Sequence, residues 1–183
     1  VENVATIAAN NDQIIGKLVA TAVDKAGKDG SITVEESRTI ETALDIIEGF
    51  RLEAGYAASA FVTDERRGAV HYDSPLLLVT DAKIDSVDQI LPALEIISRD
   101  GRPLIIVAED IEGQALAALI MNTVRGTLKV AAVKAPFYGE RRSGVLRDLA
   151  LSTGSEFISR DSAVSLRDIK LQHFGQCRSI DIT

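Results

Sequence analysis

Residues 75–107 read PLLLVTDAKIDSVDQILPALEIISRDGRPLIIV, and this stretch decides the fold. Leu76-Leu77-Leu78-Val79 is a short continuous apolar run, the pattern of a strand covered on both faces. Ser86 to Gln89 spells a capping box, in which a Ser side chain satisfies the amide three residues on and Gln reaches back. The helix it opens carries Ile90, Leu91, Leu94 and Ile97 and stops at Gly101. Pro92 falls several residues inside that helix, a cost unless the first turn is loose. Leu104-Ile105-Ile106-Val107 is then a second buried strand.

The pattern continues toward the C-terminus. A second helix is expected from about Gly113 to Val124, ending at Gly126. A third strand is expected over Leu128–Val133, a third helix over Gly144–Ser152, and a fourth strand at Phe157-Ile158. Strands alternating with helices through short loops imply βαβ units and a mostly parallel core, hence an α/β fold. Upstream, Asn10-Asn11-Asp12 are good capping residues. They precede Ile14, Ile15, Leu18, Val19, Ala22 and Val23 at helical spacing, closed by Gly27 and Gly30. The stretch Lys25–Asp29 reads as a polar turn. Ser31-Ile32-Thr33-Val34 alternates like a strand. The stretch from about Thr39 to Leu52 suits either element, with Phe50 and Leu52 favouring an extended one. A boundary is expected near Glu48-Gly49.

Composition bounds the function. The chain has 183 residues, 46% hydrophobic and 26% charged, enough to bury a core and stay dissolved. Aromatics are 4% with no Trp, so Leu, Ile, Val and Ala must build that core. A net charge of −7 argues against a phosphate-backbone binder, which needs a basic footprint. The pairs Arg66-Arg67 and Arg141-Arg142 read as solvated loops. Cys177 is the single cysteine, so an intramolecular disulfide is impossible and a thiolate metal site is not expected. A reducing, cytoplasmic setting fits this usage. No apolar run approaches the roughly 18 residues that span a bilayer. The chain starts at Val1 rather than Met and shows no signal-peptide pattern, which points to a piece of a longer protein.

The segment from Glu112 to Arg125, EGQALAALIMNTVR, carries too much oil for an ordinary flanking helix. On a wheel at about 100° per residue, Leu116, Ile120 and Val124 form one stripe. Ala115 and Leu119 widen the apolar arc on one side and Met121 on the other. Two readings are open. The helix is buried on both sides in a larger assembly, or Leu116, Ile120 and Met121 face solvent and bind something apolar. Met suits the second, because its unbranched thioether adapts to varied partners.

Motifs for catalysis are weak. There is no Gly-rich phosphate loop and no Gly-x-Ser-x-Gly elbow. His71 and His173 have no partners at metal-ligand spacing. One constellation deserves comparison. Asp81, Glu109-Asp110 and Lys134-Ala135-Pro136 follow the first three parallel strands, where α/β folds bind ligands. Together they suggest an alternative, a receiver-like domain holding Mg²⁺ and a phosphoryl group. Against it, acids at strand ends also cap helices and solvate loops.

Several of these stretches together resemble one family. Residues 112–126, 129–136 (KVAAVKAP), 139–142 (GERR) and 104–110 (LIIVAED) look like the apical domain of GroEL-type, group I chaperonins. Residues 15–18 (IGKL), 24–30 (DKAGKDG), 32–35 (ITVE) and 48–49 (EG) resemble the first half of their intermediate domain. The resemblance runs from end to end in family order. It implies a small α+β intermediate-domain piece at 1–47, a hinge at Gly49, and an apical domain at 48–183, C-terminally incomplete, with a sheet core flanked by helices. It further implies that the chain binds unfolded polypeptides and a GroES-type lid co-chaperonin through an apolar groove. That surface would comprise Tyr56 and Phe61 on an extended segment, Leu91 and Leu94 on one helix, and Leu116, Ile120, Met121, Asn122 and Arg125 on the next.

Departures at Ala58, Ser59 and Ala60 imply a smaller or shifted surface on that side, and Gln114 stands where the family commonly has an acidic residue. No catalytic residue, metal ligand, nucleic-acid contact or membrane contact is expected here. The family's ATP and Mg²⁺ act through a phosphate motif and a carboxylate that this sequence lacks, within a cytoplasmic homo-oligomeric ring.

Overall fold

A computed structural model describes residues 1–27, 30, 32, 34, 36, 42–44, 46 and 49–183. The strand expected at 31–34, much of the stretch from Thr39, Lys28-Asp29 of the polar turn and Glu48 of the expected boundary lie wholly or partly outside these. The chain divides into two compact units, Val1–Gly49 and Phe50–Thr183. Gly49, at the end of the first, has a φ of 141°, a conformation that L side chains rarely adopt.

The first unit contains two packed helices, α1 (Glu2–Ala8) and α2 (Gln13–Ala26). Asp12 caps α2 as its sequence position suggests: its carboxylate accepts from the amides of Ile14 at 2.9 Å and Ile15 at 3.1 Å. Gly16 is buried where α1 crosses, and a Cβ there would collide with the side chain of Thr6. The sequence reading missed α1. It is seven residues long and has no buried side chain, so it carries no periodic apolar signal.

The second unit is a mixed α/β structure. Its strands in chain order are β1 (Val70–Asp73), β2 (Leu76–Thr80), β3 (Lys83–Ile84), β4 (Leu104–Ala108), β5 (Asp110–Ile111), β6 (Val130–Lys134), β7 (Phe157–Ile158), β8 (Gly175–Gln176) and β9 (Ser179–Ile182). Its helices are α3 (Val87–Asp100), α4 (Gly113–Val124) and α5 (Gly139–Thr153). Short 3-10 turns occupy Ser59–Phe61, Leu166–Asp168 and Leu171–His173.

The main sheet has the order β6-β4-β2-β7, all parallel, with β8 antiparallel to the other half of β2. Every residue of β2 and β4 is buried, as their unbroken apolar runs require. β3 and β5 form a small parallel pair, and β1 and β9 an antiparallel ribbon. Among the described residues no helix is long and apolar enough to cross a membrane.

The expected helix at 113–124 matches α4 residue for residue. The third strand lies two residues later at its start than expected, and α5 begins five residues earlier, at Gly139. α3 begins with the Gln89 half of its capping box. The Gln89 side chain accepts from the amides of Asp85 at 3.0 Å and Ser86 at 3.1 Å. It ends at Gly101 in the left-handed conformation. Pro92 stays inside α3, in its second turn, rather than breaking it.

The first three parallel strands sit in reverse chain order, and the fourth, β7, joins on the far side of β2. A receiver domain needs a different order, 2-1-3-4-5. The reversal falls between β2 and β7, and hydrogen bonds lace that junction. Thr80 Oγ1, fully buried, donates to the Ile158 carbonyl at 2.7 Å, and the Asp81 amide donates to the same oxygen at 3.3 Å. Replacing the hydroxyl with a methyl keeps the shape and removes the stronger donor. Thr80→Val is therefore expected to cost about 1–3 kcal/mol, read as a lower urea midpoint at unchanged slope.

Candidate functional site

α3 connects β2 to β4 and α4 connects β4 to β6, and the two helices pack against each other. On α3 the residues Ile90, Ala93, Leu94 and Ile97 recur at helical spacing and face the core. Leu94 is only 7% exposed, whereas Leu91, about 60° round the helix from it, is 45% exposed.

α4 meets the core through a narrow stripe, Ala115 and Leu119. Thr123 completes that side with its hydroxyl 3.0 Å from the carbonyls of both Leu119 and Val130. The stripe read from the wheel as Leu116, Ile120 and Val124 is rotated away from the sheet. Leu116 and Ile120 are half-buried against the core, while Met121 is 49% and Val124 72% exposed. The apolar surplus of this helix therefore lies outward.

The remaining expected positions divide. Arg125 is exposed at the C-terminal cap of α4. Asn122 is half-buried, and its side-chain amide donates at 2.8 Å to the Ala118 carbonyl of its own helix. Tyr56 is half-buried in an extended segment that pairs with the free edge of β6. Tyr56 bridges to Val133, and the Ala57 amide donates to the Ala132 carbonyl at 2.7 Å.

Two positions need correction as surface residues. Phe61 is 0% exposed, because the 3-10 turn at Ser59–Phe61 carries its ring inward against α4 and β6. Leu94 is on the core stripe of α3. The open apolar face consists of Leu91, Met121 and Val124, with Leu116 and Ile120 as its partly covered floor. Val124 lay outside the expected site although the wheel had placed it on the apolar stripe.

Ion pairs brace the approach to α4. Lys83 Nζ lies 2.6 Å from Glu112 Oε1, and Lys134 Nζ lies 2.8 Å from Asp110 Oδ2. The Lys134 ammonium beside it holds the Asp110 carboxyl below its ordinary value, and Asp110 in turn raises Lys134. Glu109 pairs with Arg142 at 3.0 Å. Three members of the enzyme-like constellation are thus engaged in ion pairs at the strand ends. Asp81 has one buried carboxylate oxygen without a protein hydrogen-bond partner. Among the described residues no group of three potential metal ligands gathers.

A shallow cleft of about 360 Å³ beside these pairs is lined by Tyr56, Glu109, Lys134, Phe137, Tyr138 and Arg142, among others. Its two cations face the two acids already paired with them, so it carries little net charge. Burial pushes the Cys177 thiol up, the opposite of what an activated nucleophile needs. His173 accepts from the Lys170 amide at 2.9 Å and so serves its own 3-10 turn. No protein-family model matches the chain.

If Leu119 anchors α4 and the outer arc does not, substitutions separate the two. Leu119→Ala is expected to lose about 2–5 kcal/mol of stability. Met121→Gln and Val124→Gln are each expected to stay within about 0.5 kcal/mol of the parent, by urea unfolding.

Proposed function

We propose that this chain captures non-native polypeptides on the apolar face of α3 and α4, as the apical domain of a group I chaperonin does. The observation that supports the reading most is the outward turn of the surplus apolar arc on α4. A helix needed only for packing would bury its large side chains, yet Met121 and Val124 stand in solvent, as does Leu91 on the neighbouring α3. On α4 charged residues flank the arc at Glu112 and Arg125 and leave its middle free, so a guest meets no charge to desolvate there; on α3 the exposed Asp88 and Glu95 lie one turn either side of Leu91.

The chemistry of capture follows from burial. Each large apolar side chain taken fully out of water contributes about 1.5–3 kcal/mol before ordering costs. Three open side chains give weak contact with little sequence preference. The thioether of Met121 fits to guests of different shape. In a homo-oligomeric ring several such faces would act on one guest and raise avidity without new contacts. A lid co-chaperonin would compete for the same face. ATP and Mg²⁺ would act through other parts of such a cytoplasmic machine, in which residues 1–47 belong to the intermediate domain and Gly49 is the hinge to the apical domain.

The test uses the open residues, since Leu116 and Ile120 also pack against the core. Leu91→Glu combined with Met121→Glu is expected to weaken capture of a permanently unfolded, reduced protein by about ten-fold or more, with the melting temperature little changed. Capture equal to that of the parent chain, by a folded variant, overturns the reading.

A further inference from the structure

The ribbon of β1 and β9 is set apart from the main sheet and joins residues far apart in the chain. Its register places His71 opposite Asp181 and Asp73 opposite Ser179. Val70 and Tyr72 point inward and are buried, so His71 and Asp73 share the outer face. His71 Nδ1 lies 2.8 Å from Asp181 Oδ1, and His71 Nε2 lies 3.5 Å from Asp73 Oδ1. The backbone at His71 is also held: its amide donates to Thr63 Oγ1 at 2.8 Å.

Both ring nitrogens thus meet a carboxylate. A neutral imidazole has one N–H and one bare nitrogen, so it can satisfy only one of them and turns a lone pair toward the other. The imidazolium donates to Asp181 and sets its positive charge beside Asp73. The arrangement also ties together the two ends of the second unit. The Ser74 amide donates to the Arg178 carbonyl at 2.9 Å, and the backbone of Gly55 lies close to the Thr183 carbonyl.

We propose that the ribbon is a proton-operated clasp: a proton on His71 tightens the hold of β9 on β1, and its loss loosens the last strand. This stands apart from whatever α3 and α4 bind. Every charged group that faces the ring bears on its sign. The hydrogen bond and charge of Asp181 raise the His71 value above its ordinary 6.5, Asp73 adds to this, and solvent loss and Arg67 oppose it. A raised folded-state value means the stabilisation is fully present below 6.5 and fades as pH rises through the raised value. The clasp is closed in mildly acidic solution and eased in alkaline solution.

The chain has two histidines, so their ring protons can be followed separately by NMR. His71 is expected to titrate above 6.5. Amide exchange, corrected for its intrinsic rate and referred to the β2 and β4 core, is expected to show residues 179–182 opening about two-fold or more often near pH 8 than near pH 6. His71→Gln should abolish that pH dependence. Asp181→Asn, which keeps the shape of the side chain, should lower the His71 titration and flatten the profile. The proposal is overturned if His71 titrates at or below 6.5. It is equally overturned if ribbon opening is independent of pH in the parent chain, or keeps its pH dependence in either variant.

Discussion

Burial of β2 on both faces is the constraint from which the second unit follows. A strand sealed in this way cannot return any amide or carbonyl to water, so both of its edges must be paired along their length. β4 takes one edge. The other is divided between β7, parallel at Val79 and Thr80, and β8, antiparallel at Leu76 and Leu77. Neither short strand could cover the edge alone. Thr80 secures the division with a buried hydroxyl that joins β2 to the Ile158 carbonyl. The close fit at Gly175 serves the other half, since a Cβ there would meet Thr153 and Ser155.

This arrangement fixes where helices can go. Two parallel crossovers, β2 to β4 and β4 to β6, set α3 and α4 side by side. Ala115 lets α4 sit close to the sheet, and Leu119 fills the space below it. With so slim an anchor, the helix has more apolar surface than the core can accept. Geometry leaves that surplus on the outside, on the helix packed beside α3 and its exposed Leu91. The same logic explains Phe61. The 3-10 turn before β1 lies under α4 and β6, so an aromatic there completes the floor beneath the helix.

How much of this was legible in the sequence depended on the range of the interactions. β2, α3, β4 and α4 are set by local patterns: unbroken apolar runs, a cap at Ser86–Gln89, and a stop at Gly101. All four emerge from the sequence at or near their observed bounds. The ribbon β1–β9, the pair β3–β5 and strand β8 do not, because two to four residues carry no period and each exists only through a distant partner. At the site, the wheel identified the excess of apolar surface on α4 but not its direction. Whether Leu116 or Leu119 faces inward depends on which stripe the sheet selects. The family resemblance alone places Phe61 and Leu94 at the surface. Leu94 in fact shares the 3.6-residue stripe of Ile90 and Ile97, a local signal that pointed inward.

An outward apolar face on a free domain invites self-association, and the chain's charge bears on that. Of its net charge of −7, residues 50–183 carry only −2, from 16 Lys and Arg against 18 Asp and Glu, and α4 carries no charge between Glu112 and Arg125. Repulsion between like-charged copies acts over about a Debye length, roughly 8 Å at physiological salt. So small a net charge on this unit does little within that reach to separate two folded copies. A flexible unfolded segment, unlike a rigid second copy, can thread apolar side chains onto the face in many registers. On the proposed reading, that adaptability, rather than repulsion, favours a disordered guest over a second folded copy. The preference follows from the flexibility of the guest, without any residue that recognises a sequence.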